Sequence, residues 1–544
     1  MRSPKPVAED PDTVLTSAPE DAAITASGVG DATTVRRPRP APVGPGQEVN
    51  QVDQEVNQVD QEVNQVDHID GDGVDTSTRQ GPVRIEPTGA GRPRKRRRGL
   101  FAGLGLLVVV LLAAGVAFGV PPVAHKLGLR PVLGPNTSDP AAPITASPVL
   151  KAANVNAPEP SAQGVRAALA KPASNPALGT VTGTVIDADT GATLWNHASS
   201  TPLTPASTNK LLTAAATLLS VDPESTLDTK VVAGSEPGTV VIVGGGDPTL
   251  NSLPAGQDNL YPGSAHLDDL VAQVKKATGG KVSKVLVDDS AYTGDTLAPG
   301  WDSRDIAGGS LAPIVPAMLD GGRTVPTADE TKPRFANPSG QLINEFARRI
   351  GASPGGRGSA PANAKVLGEV HSVPVSGLID NMLQISDNVL AEALGRRVAK
   401  ANGQPESFAG ASSSVRKVLQ DNGFDVSGVN TVDTSGLSTQ DKVPASLLAS
   451  ILKVAAAPDG GDARTAKLRP LLEGLPVAGG TGTLSSRYHD AQSGAGKGWV
   501  RAKTGTLSNV NTLAGVVLDA DNRVLVFALM SNGSDVNGGR EALD

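Results

Sequence analysis

At 544 residues the chain is too long for one ordinary hydrophobic core, and its length points to two to four units. Hydrophobic residues make up 39% and aromatics only 2%, while 62 glycines and 43 prolines suggest globular regions joined by unstructured stretches. A formal charge of −7 gives no reason to expect nucleic-acid binding, and the lack of cysteine removes thiol nucleophiles, disulfides and thiolate metal sites. Six scattered histidines form no H-E-x-x-H pair, so no metal site and no cofactor are expected.

Residues 1–98 are polar, proline-rich and acidic in patches, the composition of a disordered extension. The heptapeptide QEVNQVD occurs there three times, at 47–53, 54–60 and 61–67. Its valines alternate at coiled-coil spacings of three and four. With Asn and Asp in every repeat it is a poor helix nucleus, so a repeat-expansion tract is the preferred reading and a weak dimerisation segment the alternative.

Residues 100–120 carry no charge over 21 positions, which at ~1.5 Å rise spans roughly the 30 Å of a bilayer core. One transmembrane helix is therefore expected over 99–120. The basic run Arg92-Pro93-Arg94-Lys95-Arg96-Arg97-Arg98 directly before it marks the cytoplasmic flank. The expectation is a single-pass protein of the cell membrane, with a cytoplasmic N-terminus and an extracytoplasmic catalytic domain. Residues 121–160 form a Pro/Ala-rich linker able to reach on the order of 120 Å if extended.

From 161 the sequence becomes globular. Strands are predicted at 180–187 and 192–196 around Asp189-Thr190-Gly191. Thr204 and Pro205 then open a predicted helix continued by Leu211, Leu212, Ala215, Leu218 and Leu219. This puts Ser207 and Lys210, three apart, on one face of its first turn. A hairpin is predicted at 229–234 and 239–243. A helix follows whose buried face is Leu267, Leu270, Val271 and Val274 and which ends at Gly279-Gly280; a strand is predicted at 282–288. Ser386-Asp387-Asn388 falls inside an apolar-periodic helical stretch, and Lys503-Thr504-Gly505-Thr506 begins a strand pattern. Further strands are predicted near 511–519 and 523–531.

S-x-x-K alone is weak, since Ser414-Val-Arg-Lys417 is a second match in the same chain. The other two tripeptides have chance expectations of roughly a tenth each, so all three in order is well beyond coincidence. S-x-x-K, S-D-N and K-T-G in this order resemble the penicillin-recognising serine enzymes. Over residues 160–544 the chain is similar to one branch, the D-alanyl-D-alanine carboxypeptidase/endopeptidase family of class C low-molecular-mass penicillin-binding proteins. VGGGDPTL (243–250), VDDSAYTGDTLAPGW (287–301), VPAMLDGGR (315–323) and DTSGLS (433–438) add to the likeness.

The resemblance implies an α/β fold of the penicillin-binding/β-lactamase-like transpeptidase type, an antiparallel sheet with a helical subdomain. Ser207 and Ser386 lie 179 positions apart, which leaves room for an insertion. The catalytic domain is expected in two segments, 161–228 and 371–544, with one or two inserted subdomains between them at 229–370. The resemblance also implies peptidoglycan stem peptides as substrate, β-lactams as inhibitors, and carboxypeptidase action with D,D-endopeptidase action beside it.

No histidine lies in the three motifs, so Lys210 is the available base for Ser207. Its pKa would have to fall from ~10.4 to nearer 7, at a differential cost of about 4 kcal/mol. The family implies that Ser386 relays a proton to the leaving amine and that Asn388 orients Lys210 and the substrate amide. It implies that Lys503, Thr504, Gly505 and Thr506 bind substrate, with the backbone N–H groups of Ser207 and Thr506 as the oxyanion hole. The rivals are a β-lactamase, for which no E-x-x-x-N segment follows the second motif and Glu392 reads as a continuation of its helix, and a silent binding protein. The sequence stops in GGREALD, which reads as the opening of a terminal helix; without more of it, one sheet face is expected to be undercovered.

Overall fold

The structure, a computed structural model, describes residues 153–154, 156–328 and 331–544. The predicted extension, heptad repeats and membrane segment lie outside the described residues, as does most of the linker. Among the described residues no helix is long and apolar enough to cross a membrane.

The described part opens with helix α1 (Ala162–Ala170) and strands β1 (Thr180–Asp187), β2 (Thr193–His197) and β3 (Pro202–Leu203), followed by α2 (Lys210–Ser220). β4 (Asp228–Ala233), β5 (Thr239–Gly244), α3 (Leu267–Thr278), β6 (Lys284–Asp288), α4 (Pro338–Ile350), β7 (Ser353–Arg357) and β8 (Val366–His371) come next. The chain then continues through α5 (Val375–Gln384), α6 (Asn388–Ala401), α7 (Phe408–Asp421), β9 (Val443–Pro444) and α8 (Ala445–Ala456). It closes with β10 (Val500–Leu507), β11 (Val510–Leu518), β12 (Val524–Asn532) and α9 (Val536–Leu543).

The catalytic sheet runs β10-β11-β12-β1-β2 and is antiparallel throughout, so the last three strands pair with the first two across the whole globular sequence. One face, through Ala514, Val526, Ala528 and Met530, packs on a helical layer supplied by α2, α6, α7 and α8. The opposite face, through Trp195, Val500, Leu513 and Phe527, packs on Leu178 and on Leu543 of α9, with Val165 and Leu169 of α1 alongside. The sheet face expected to lie undercovered is therefore covered by α1 and α9.

The second sheet, β7-β6-β5-β4-β8, is built from residues 228–371, within one residue at each end of the stretch expected to be inserted. It is mixed: β4 pairs antiparallel with β5 and β8, whereas β5-β6 and β6-β7 are parallel. Leu267, Leu270, Val271 and Val274 of α3 and Leu342, Ile343 and Phe346 of α4 are buried with Val231, Ile242 and Val285 in its core. Gly279, at φ +63°, ends α3 in a left-handed conformation that an L side chain resists.

Candidate active site

Ser207 does not lie in the first turn of an α-helix. It sits in a 3-10 turn, Ala206–Asn209, and Lys210 is the first residue of α2. Pro205 just before the turn and the Thr208 hydroxyl, which donates to the Pro205 carbonyl at 2.6 Å, explain the tighter winding. The two side chains still meet, with Lys210 Nζ 2.9 Å from Ser207 Oγ. Ser207 is half-buried and Lys210 fully buried, so the hydroxyl faces the cleft and the amine stands behind it.

Ser386 and Asn388 also depart from the expected continuous helix. The apolar pattern runs unbroken through 375–401, but the backbone breaks at Ser386 (φ +58°), between α5 and α6. Asp387 is the N-cap of α6 and accepts from Leu390 N–H at 2.7 Å. The break turns the Ser386 hydroxyl towards Lys503, whose Nζ donates to it at 2.8 Å. Asn388, at the start of α6, takes Lys210 Nζ on its Oδ1 at 2.6 Å and donates Nδ2 to the Ser310 carbonyl at 2.8 Å.

Lys503, Thr504, Gly505 and Thr506 lie on β10, an edge strand. A Cβ on Gly505 would stand 2.1 Å from Thr512 Oγ1 and 2.8 Å from the Pro205 carbonyl, so glycine alone lets the strand lie against the Ser207 turn. Ala502 N–H points off the open edge to the Pro476 carbonyl at 3.0 Å. By the two-residue period of a strand, the N–H groups of Thr504 and Thr506 point the same way, away from β11. Lys503 is fully buried and also donates to the Thr504 carbonyl at 2.8 Å, while the Thr504 hydroxyl is shared with Thr483 at 2.8 Å.

The three motifs thus meet at one site, with Ser207 and Asn388 on Lys210 and Ser386 on Lys503. The chemistry available to such a site is nucleophilic attack by a serine with an amine base. The profile of the D-Ala-D-Ala carboxypeptidase 3 (S13) family matches residues 165–347 and 334–544. The chain belongs to this family.

Two relatives carry the same message. Carboxypeptidase DacB of Mycolicibacterium smegmatis is 43% identical over 458 residues, covering 83% of this chain and 97% of its own. A carboxypeptidase of Mycobacterium tuberculosis is 44% identical over 425 residues, covering 77% and 89%. The crystal structure of penicillin-binding protein 4 of Haemophilus influenzae superposes with a TM-score of 0.55 at 21% identity, over 67% of this chain and 95% of that one. That likeness establishes the penicillin-binding fold. With the family, it makes the chain a peptidase of the hydrolase class.

Several residues of the site were not singled out from the sequence. Asp387 is buried with both Arg323 and Arg334: Arg323 Nη2 stands 2.6 Å and Arg334 Nη2 3.3 Å from its Oδ2, and the Tyr261 hydroxyl donates to it at 3.1 Å. Burial alone would raise its pKa, but the two guanidinium charges outweigh that and hold it well below the carboxylate range. Arg323 lies in the VPAMLDGGR segment, whereas Tyr261 and Arg334 carry no sequence signal. The Ser435 carbonyl, inside DTSGLS, accepts from Lys210 Nζ at 2.8 Å. Backbone acceptors leave no trace in residue type, so only the unexplained likeness of that segment pointed there.

Proposed function

We propose that this D-Ala-D-Ala carboxypeptidase cleaves peptidoglycan stem peptides through an acyl-enzyme on Ser207, with Lys210 as the general base. The observation that carries the reading is the 2.9 Å contact between Lys210 Nζ and Ser207 Oγ, with Asn388 Oδ1 and the Ser435 carbonyl as further partners of the same amine. In the neutral amine, the two acceptors take its hydrogens and the lone pair faces the serine proton.

Ser207 Oγ then attacks the carbonyl between the two D-alanines, and its proton passes to Lys210. The oxyanion is held by the N–H groups of Ser207 and Thr506, the latter facing the open edge of β10. Ser386, hydrogen-bonded to Lys503, relays the proton that Lys210 has taken on to the departing D-alanine amine, which leaves Lys210 neutral again. Thr504 and Thr506 hold the terminal carboxylate beside the Lys503 charge. Water then attacks the acyl-enzyme by the same base. A β-lactam, whose ring amide takes the place of the scissile bond, stops at the acyl stage.

Glu392 does not supply the deacylating carboxylate of a β-lactamase, because it is fully buried and both its oxygens are engaged by backbone and side-chain donors. The test is mass spectrometry after incubation with labelled penicillin. A long-lived adduct on Ser207 supports the peptidase; rapid turnover would favour the lactamase, and no adduct a silent binding protein. We also propose an extracytoplasmic catalytic domain anchored by 99–120, supported by the charge-free run and the basic flank.

A further inference from the structure

Lys210 is held from behind by a loop, and the loop is itself held. Residues 433–436 lie wedged between α2, which carries Lys210, and α6, which carries Asn388. On the α2 side, Thr213 Oγ1 donates to the Thr434 carbonyl at 2.6 Å and Asn209 Nδ2 to the Asp433 carbonyl at 3.3 Å. On the α6 side stands Glu392, one turn beyond Asn388. Its Oε1 accepts from both Thr434 N–H and Ser435 N–H at 2.9 Å. Its Oε2 takes the Thr434 hydroxyl at 2.9 Å and Arg396 Nη1 at 3.3 Å.

Two glycines show how tightly the loop is seated. A Cβ on Gly395 would meet Thr434 Oγ1 at 2.5 Å, and one on Gly436 would meet the Ala206 carbonyl at 1.9 Å. The loop therefore presses against α6 on one side and against the Ser207 turn on the other. Glu392 takes the N–H of Ser435, and the carbonyl of that residue, in the next peptide, accepts from Lys210 Nζ at 2.8 Å. The N–H of that next peptide, Gly436, donates to Asp433 Oδ1 at 2.6 Å, so Glu392 and Asp433 hold the two sides of the Ser435 Cα.

We propose that Glu392 is a positioning residue for the general base: it fixes the Ser435 carbonyl so that, with Asn388 on the same helix, it directs the Lys210 lone pair at Ser207. A neutral amine has two hydrogens and one lone pair at tetrahedral angles. Two acceptors locked at 2.6 and 2.8 Å therefore determine where the third direction points. Asn388 supplies one acceptor directly. Glu392 anchors the loop that supplies the other, through the Thr434 and Ser435 N–H groups and the Thr434 hydroxyl, and touches neither substrate nor reacting atoms. This role rests on Lys210 being the base.

The experiment measures the acylation rate constant and the noncovalent dissociation constant for a penicillin separately, in full-length parent, Glu392→Ala, Glu392→Gln and Lys210→Arg. Glu392→Gln keeps an oxygen for the two backbone N–H groups and should acylate within about threefold of the parent. Glu392→Ala frees the loop and should lose about 10- to 100-fold in the acylation rate, with the dissociation constant unchanged, as misplacement of a reacting group does. A folded Glu392→Ala at the parental rate, a loss confined to the dissociation constant, or a Glu392→Gln as slow as the alanine variant would each overturn the assignment. If Glu392→Ala does not fold, Glu392→Asp decides: drawn back by one methylene, it should slow acylation at least fivefold, and the parental rate overturns the proposal. Lys210→Arg separates the two readings. Parental acylation by it removes the lysine base itself, whereas an inactive Lys210→Arg beside a normal Glu392→Ala removes only the positioning role.

Discussion

In the proposed mechanism Lys210 is the base, and replacing it with arginine asks whether it acts as a base or only as a charge. Guanidinium keeps the cation beside Ser207 but stays protonated and cannot accept the serine proton. Lys210→Arg should lose about 10²- to 10⁴-fold in acylation by penicillin and by D-Ala-D-Ala peptides, measured against pH with circular dichroism as the folding control. Acylation within tenfold of the parent would show that the proton goes elsewhere. Gly505 tests the seat of the third motif. Gly505→Ala places a Cβ 2.1 Å from Thr512 Oγ1, so β10 must shift away from the Ser207 turn. Overpacking of this kind costs about 1–3 kcal/mol, and denaturant unfolding should show that loss together with slower acylation. An alanine variant with parental stability and rate would mean that the strand has slack the structure does not show. Ser207, Lys210, Ser386, Asn388 and Lys503, which the structure brings together, were legible because three short motifs in a fixed order carry the family resemblance. The Ser435 carbonyl was not, since any residue offers one.

Between elements, the join of α5 to α6 is where the sequence misled. Both helices bury a face, so Leu378, Met382, Leu390 and Leu394 keep one apolar rhythm across the break, and neither glycine nor proline marks it. The signal present was an Asp just before a helix, an N-cap read as part of a motif. Asp387 has a second duty, as the carboxylate that pairs with both Arg323 and Arg334. Asp387→Asn leaves two buried guanidinium groups facing a neutral amide and should cost about 3–5 kcal/mol in urea unfolding. Since the folded pKa of Asp387 is depressed, its contribution is complete above the unfolded pKa of ~3.9 and is lost as acid titrates the folded carboxylate. Asp441, behind the 433–436 loop, runs the other way. Burial first, then the charge and hydrogen bond of Asp433, push it up to about 10. The unfolded chain ionises this group near ~3.9 while the folded chain retains its proton. Stability through this group therefore falls as pH rises between about 4 and about 10. Asp441→Asn offers a permanent N–H in place of that proton, and its thermal midpoint should fall less than the parent's across the same window. Parallel curves would show that Asp441 is not the group responsible.

For the molecule as a whole, periodicity located most strands of the catalytic sheet to within a residue or two, because each strand buries one face or both. Their order was not legible from periodicity. β12 pairs with β1 across the full length of the globular sequence, and only the resemblance carried that long-range closure. The mixed order of the inserted sheet was also hidden, since parallel and antiparallel neighbours bury the same residue types. Where the enzyme works is a separate question, and the proposed answer rests on the segment ahead of the globular region. A charge-free stretch of 21 residues behind seven residues rich in arginine should hold the chain in the membrane with its first 98 residues in the cytoplasm. In fractionated cells the full-length protein should sediment with membranes and resist salt and carbonate washing, while a chain starting at residue 153 should be released. Protease added to spheroplasts should then cut beyond residue 121 and spare an epitope placed in residues 1–98. Protection of the globular region with digestion of the N-terminal epitope would reverse the orientation. It would also remove the stem peptide from reach of Ser207, because that substrate lies in the wall outside the bilayer.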